Sequence, residues 1–181
     1  MFLLLSLPLL AACSETDETT YAGNWAADNR RYFDSIATVA RANSAEWRVI
    51  SSVGLDETVE HANEYYVFCK VLSSGIGTEY PAGNDTVLIN YKGQLIDGTV
   101  FDASYDGELN PEYETPVEMA LDNCVWGFST AVQQMVSGDI WEVYIPNQLA
   151  YGADGYGAVE PSSTLIFTLN LVKSFHVGDK E

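Results

Sequence analysis

The stretch LINYKGQLIDGTVFDASY, Leu88 to Tyr105, constrains the fold more than any other part of the chain. It alternates as a half-buried strand does and then meets Asp97-Gly98, a dipeptide that favours the tight turn of a β-hairpin. TVFDAS continues beyond the turn as the returning strand, so the segment reads as an antiparallel pair. The return places a carboxylate, Asp102, directly behind an aromatic ring, Phe101. A shallow apolar pocket with Tyr91, Phe101 and Asp102 along one wall would explain that juxtaposition.

Strand patterns recur from residue 64 onward. EYYVFCKVLSSG is rich in β-branched and aromatic residues and stops at Gly75, PVEMAL is a short strand, and IWEVYIP and STLIFTLNLVKSF are longer alternating ones. Between them NCVWGFSTAVQQMVSGD offers one short helix, with Phe128, Val132, Met135 and Val136 on one side and Gly138 ending it. YDGELNPEYET reads as a solvated acidic loop. About five antiparallel strands with one apolar face covered by one helix make an α+β domain. No repeat or linker interrupts 65–175, which reads as one domain, followed by a C-terminal tail over 176–181.

Ahead of that domain, NWAADNRRYFDSIATVARAN places Trp25, Tyr32, Phe33, Ile36, Val39 and Ala40 on the stripe of an amphipathic helix. Asn24 would cap its start and Asn43 its end. This helix either packs on the main domain or makes a dimer contact. The residues after it form a connector with a short strand or a helical turn, so 24–64 is a helical extension. The start of the chain, MFLLLSLPLLAACSETDETT, holds an apolar run too short to span a bilayer. It reads as an export signal over 1–12, although no Lys or Arg precedes the run. Leu10-Ala11-Ala12-Cys13 resembles the bacterial lipobox, which would put a lipid on Cys13 and make 13–23 an acidic tether. Such a lipid would hold the protein at a membrane of the cell envelope, each buried methylene adding about 0.8 kcal/mol.

Lys and Arg total 8 against 26 Asp and Glu, a formal net charge of −18. Nucleic acid is therefore excluded as a partner, because a polyanion would be repelled before docking. With Cys13 assigned to the lipid, Cys69 and Cys124 fall in separate elements and read as free, largely buried thiols. No CxxC or His-rich spacing points to a metal, and neither His61 nor His176 has a partner in sequence. No cofactor is expected.

The chain carries no GxSxG elbow, Walker loop or HExxH. What recurs instead is an aromatic or aliphatic residue beside a glycine or a lone polar group: Tyr91-Lys92-Gly93, Phe101-Asp102, Val125-Trp126-Gly127-Phe128, Tyr151-Gly152 and Phe167. VLINYKGQLIDGTVFDAS, VWGFSTAVQQMVSGD, IPNQLAYG and STLIFTLNLV stand in one order and spacing. On these four motifs the chain from Tyr65 to Ser174 resembles the FKBP-type peptidyl-prolyl cis-trans isomerases.

The resemblance implies a twisted antiparallel sheet wrapped around a short helix, with a proline ring bound between them. It implies Phe128 at the pocket floor, Tyr91, Phe101 and Phe167 as walls, and Val117 and Val125 completing the lining. The Tyr151 hydroxyl and the Val125 N–H would bind substrate carbonyls, and Asp102 would accept a hydrogen bond beneath the pocket edge. Cys124 would lie at the rim, with Tyr156 and Val159 in a flap hairpin. The implied activity is rotation of X-Pro bonds in exported, proline-containing polypeptides, with no covalent or acid–base step. The alternative is a peptide-binding chaperone module without turnover. Two departures stand out: Val117 replaces a common Phe, and the flap YGADGYGAVEPSS is about one residue short.

Overall fold

A computed structural model describes residues 18–52, 55–56, 58–59 and 61–176. The expected export signal, the lipid-bearing Cys13, the first part of the tether and the tail beyond His176 lie outside these residues. Helix α1 runs Glu18–Ala42. It begins ahead of the expected start at Asn24 and takes in residues assigned to the tether, where no proline stops it. Its end is where the sequence puts it: Asn43 Nδ2 donates to the Val39 carbonyl at 2.7 Å, satisfying one of the orphaned last-turn acceptors. No helix among the described residues is long and apolar enough to cross a membrane.

Seven strands follow, rather than about five: β1 Trp47–Ser51, β2 Tyr66–Ser73, β3 Thr86–Gln94, β4 Val100–Ala103, β5 Val117–Ala120, β6 Ile140–Ile145 and β7 Leu165–Phe175. They form one antiparallel sheet in the order β1-β2-β6-β7-β3-β4, with β5 also paired to β3. Strand β1 comes from the connector. It lacks a clean alternation of buried and exposed residues and is held by its ladder to β2, from Trp47 opposite Lys70 to Ser51 opposite Tyr66. In the β3–β4 hairpin the Leu95 N–H donates to the Thr99 carbonyl at 2.9 Å, and Gly98 takes φ +86, the left-handed conformation that its turn requires.

Helix α2, Trp126–Val132, packs on one face of the sheet. Phe128, Ala131, Val132 and Met135 are buried there against Val67, Ile89, Val143 and Leu169. The other face is covered at the β1-β2-β6 end by α1. Phe33, Ala37 and Ala40 meet Trp47, Phe68 and Tyr144, with Phe33 and Phe68 ring centroids 5.1 Å apart. Strand β2 is consequently buried on both sides, Val67 and Cys69 facing one cluster and Phe68 the other. The buried stripe of α1 runs through Ala37 rather than Val39, which is 45% exposed. A buried amide ties the helix to the sheet: Asn29 Oδ1 accepts from the Thr164 N–H at 2.7 Å, while its Nδ2 donates to the Trp25 carbonyl.

Both thiols, Cys69 and Cys124, are free. The histidines have partners that the sequence does not reveal. His176 Nδ1 lies 2.6 Å from Asp85 Oδ2, and His61 Nε2 lies 2.9 Å from the Asp56 carbonyl oxygen. Asp85 is buried and also accepts the Ala82 N–H, so the His176 contact fastens the end of β7 to the loop before β3.

Candidate active site

The site is assembled on Gly93. In the sheet register this residue lies opposite Asp102 on β4 and Phe167 on β7. A Cβ here would fall 2.5 Å from Phe101 Cζ and 2.7 Å from Phe167 Cε1, so glycine is what lets the two rings close over the strand. Phe101 meets Phe167 edge-on at 5.5 Å and 87°, and Phe167 meets Phe128 of α2 at 5.2 Å and 83°. Tyr91 stands perpendicular to Phe128 at 6.5 Å. Edge-to-face pairs of this kind satisfy the ring quadrupoles and hold each ring in one orientation.

Beside these rings is a concavity of about 500 Å³ between α2 and the sheet. Tyr91, Val125, Phe128, Tyr151 and Phe167 line it, together with Asp102, Cys124 and Tyr156. The Tyr91 hydroxyl donates to Asp102 Oδ2 at 2.9 Å, which accounts for the carboxylate on the returning strand: it orients a wall of the pocket. Burial, and then the bond to Asp102, pushes the Tyr91 hydroxyl up to about 12. Burial also raises Tyr151, followed by the charge of Asp102, and it lifts the Cys124 thiol to about 11 with help from Asp122. These groups consequently stay protonated and neutral across the ordinary pH range. Among the described residues, no hydrogen-bond partner is seen for the Tyr151 hydroxyl or the Val125 N–H.

Three residues expected at the pocket are not on its lining. Phe101 is off the lining and meets one of its rings, Phe167, edge-on. Val117, on β5, is paired with Ile89 and packs against the core. Val159 is only 6% exposed and belongs to the core. Its backbone bridge to Tyr156 turns the hairpin so that Val159 points in, while Tyr156 is left 72% exposed. Conversely, Glu118, Met119, Ala120 and Asn123 line the mouth. Their position immediately ahead of Cys124 and Val125 was the available signal, but PVEMAL reads as a strand whichever way its side chains turn.

Residues 77–172 match the family of FKBP-type peptidyl-prolyl cis-trans isomerases. The chain belongs to this family. It is 43% identical over 104 residues to the peptidyl-prolyl cis-trans isomerase Mip of Coxiella burnetii, covering 57% of this chain and 42% of that one. It is 36% identical over 104 residues to the outer membrane protein MIP of Legionella longbeachae, again over 57% and 42%. The FKBP-type 22 kDa isomerase of Escherichia coli is 41% identical over 106 residues, 58% of this chain and 48% of that one. This FKBP-type chain thus spans less than half the length of these relatives. The crystal structure of FkpA from Escherichia coli superposes with a TM-score of 0.61 at 29% identity, covering 86% of this chain and 63% of that one.

Proposed function

We propose that this protein accelerates rotation about X-Pro bonds, with the proline ring seated among Tyr91, Phe128 and Phe167. The observation that carries this reading is the convergence of those rings, from two strands and α2, on one concavity whose lining falls within the residues that match the isomerase family. Rotation of an amide meets a barrier of about 18–20 kcal/mol because the planar form is stabilised by resonance, and no covalent bond has to break. The planar amide carries more charge on its oxygen than the twisted one, so an apolar pocket disfavours the ground state relative to the transition state. The Tyr151 hydroxyl and the Val125 N–H would hold the carbonyls on either side while the ring is gripped, favouring the twisted conformer.

The test is a protease-coupled assay on a short X-Pro peptide. Turnover is expected, and Tyr151→Phe should lower kcat/KM about tenfold, the worth of one lost hydrogen bond to the transition state. Binding of the peptide without acceleration would identify a peptide-binding chaperone module instead. The reading extends to location. The envelope is supported by the outer membrane relative, and a lipid on Cys13 by the Leu10–Cys13 motif. Phe33, Ala37 and Ala40 are covered by the protein's own sheet, so a dimer contact along that part of α1 would use its outward side, where Val39 lies.

A further inference from the structure

We propose that the pocket selects prolines flanked by lysine or arginine. This inference rests on the isomerase reading and names the class of polypeptide on which it would act. The charged residues on the lining, Asp102 and Glu118, are both carboxylates, and Asp122 is close enough for its charge to act on Cys124. No basic side chain among the described residues lines the concavity. The sequence from 65 to 175 contains no arginine and no histidine, and its lysines are Lys70, Lys92 and Lys173. Lys92 Nζ donates to the Gly107 carbonyl and lies 4.5 Å from the Tyr105 ring centre, and Lys173 lies over Phe175. Lys70 sits on β2 between Arg48's neighbour Trp47 and Glu142 in the sheet register, away from the pocket.

A second observation supplies a seat for the cation. The rings of Tyr151 and Tyr156 are stacked at 5.3 Å and 17°, yet Tyr156 remains 72% exposed, so one face is covered and the other is open to solvent. An open phenol face beside carboxylates fits an ammonium or guanidinium group by cation–π attraction, with the aliphatic stem of Lys or Arg packing along the ring. The same arrangement works against acidic neighbours of proline, which would meet carboxylates on the lining.

The experiment measures kcat/KM on peptides that differ only in the residue before or after proline: Lys, Leu or Glu. At low salt the Lys peptide should exceed the Leu peptide by about three- to tenfold at one flank or the other, with Glu slowest. The spread should shrink severalfold at about 0.5 M salt, where the Debye length is only a few ångströms. Tyr156→Ala and Glu118→Gln should each reduce the Lys-to-Glu ratio, whereas Glu46→Gln, on the connector, should leave it in place. Equal rates for Lys, Leu and Glu at both flanks would overturn the inference. So would a ratio that ignores Tyr156→Ala and Glu118→Gln. Turnover of the Leu peptide tests the isomerase reading separately. Should no peptide turn over, the same series read as binding affinities decides the preference.

Discussion

Phe128→Ala is expected to lower kcat/KM for an X-Pro peptide by about a hundredfold, the equivalent of roughly 2.7 kcal/mol of lost transition-state stabilisation. Phe128 is 3% exposed and meets both Phe167 and Tyr91, so its truncation opens the pocket floor and removes the ring that holds two walls perpendicular. The same change should cost about 3–5 kcal/mol of stability, because a buried aromatic is deleted from the core. Phe128→Leu separates the two effects. It keeps an apolar floor of similar volume and should recover stability to within about 1.5 kcal/mol, while activity recovers only in part. Denaturant unfolding and the coupled assay, both on protein shown to be folded by circular dichroism, read the two quantities. Undiminished turnover in folded Phe128→Ala would mean that the proline does not sit on this ring.

The second large effect belongs to the opposite face of the sheet. Phe68→Ala should lose about 3–5 kcal/mol, seen as an earlier urea midpoint, because Phe68 is fully buried between α1 and the sheet. Its ring contacts Phe33 at 5.1 Å and lies under the Arg41 guanidinium, also at 5.1 Å. Activity per folded molecule should remain near that of the parent, since Phe68 points away from α2 and the pocket. A loss of turnover larger than the loss of folded protein would show that α1 and the pocket are coupled through β2, which shares both clusters.

Part of the concavity's lining was legible in the sequence because several of its residues lie close together along the chain. Tyr91, Gly93 and Asp102 share one face of the β3–β4 hairpin and Val125 and Phe128 come from one helix start, whereas Tyr151 and Phe167 arrive from distant segments. What could not be read depends on contacts between distant segments. Strand β1 has no clean alternation, and its place in the sheet is set by β2 and α1. The His176–Asp85 contact joins two segments that no spacing relates. Val159 turns inward and Tyr156 outward because of the backbone bridge between them, a local geometry that composition does not specify. The buried stripe of α1 follows the sheet it meets, so a small residue, Ala37, takes the place that hydrophobicity alone would give to Val39.

The most direct test of the central claim is the pH and solvent-isotope dependence of kcat/KM. Burial raises the hydroxyls of Tyr91 and Tyr151 and the thiol of Cys124, with Tyr91 at about 12 and Cys124 at about 11. A raised value keeps the protonated, neutral form in place as pH climbs, so none of these groups should change state below about pH 10. Catalysis by an apolar pocket, with no proton in flight, therefore predicts acceleration of X-Pro exchange with a flat profile from about pH 7 to 9.5 and a solvent isotope effect close to unity. Absence of acceleration, or a bell-shaped profile with a substantial isotope effect, would contradict it.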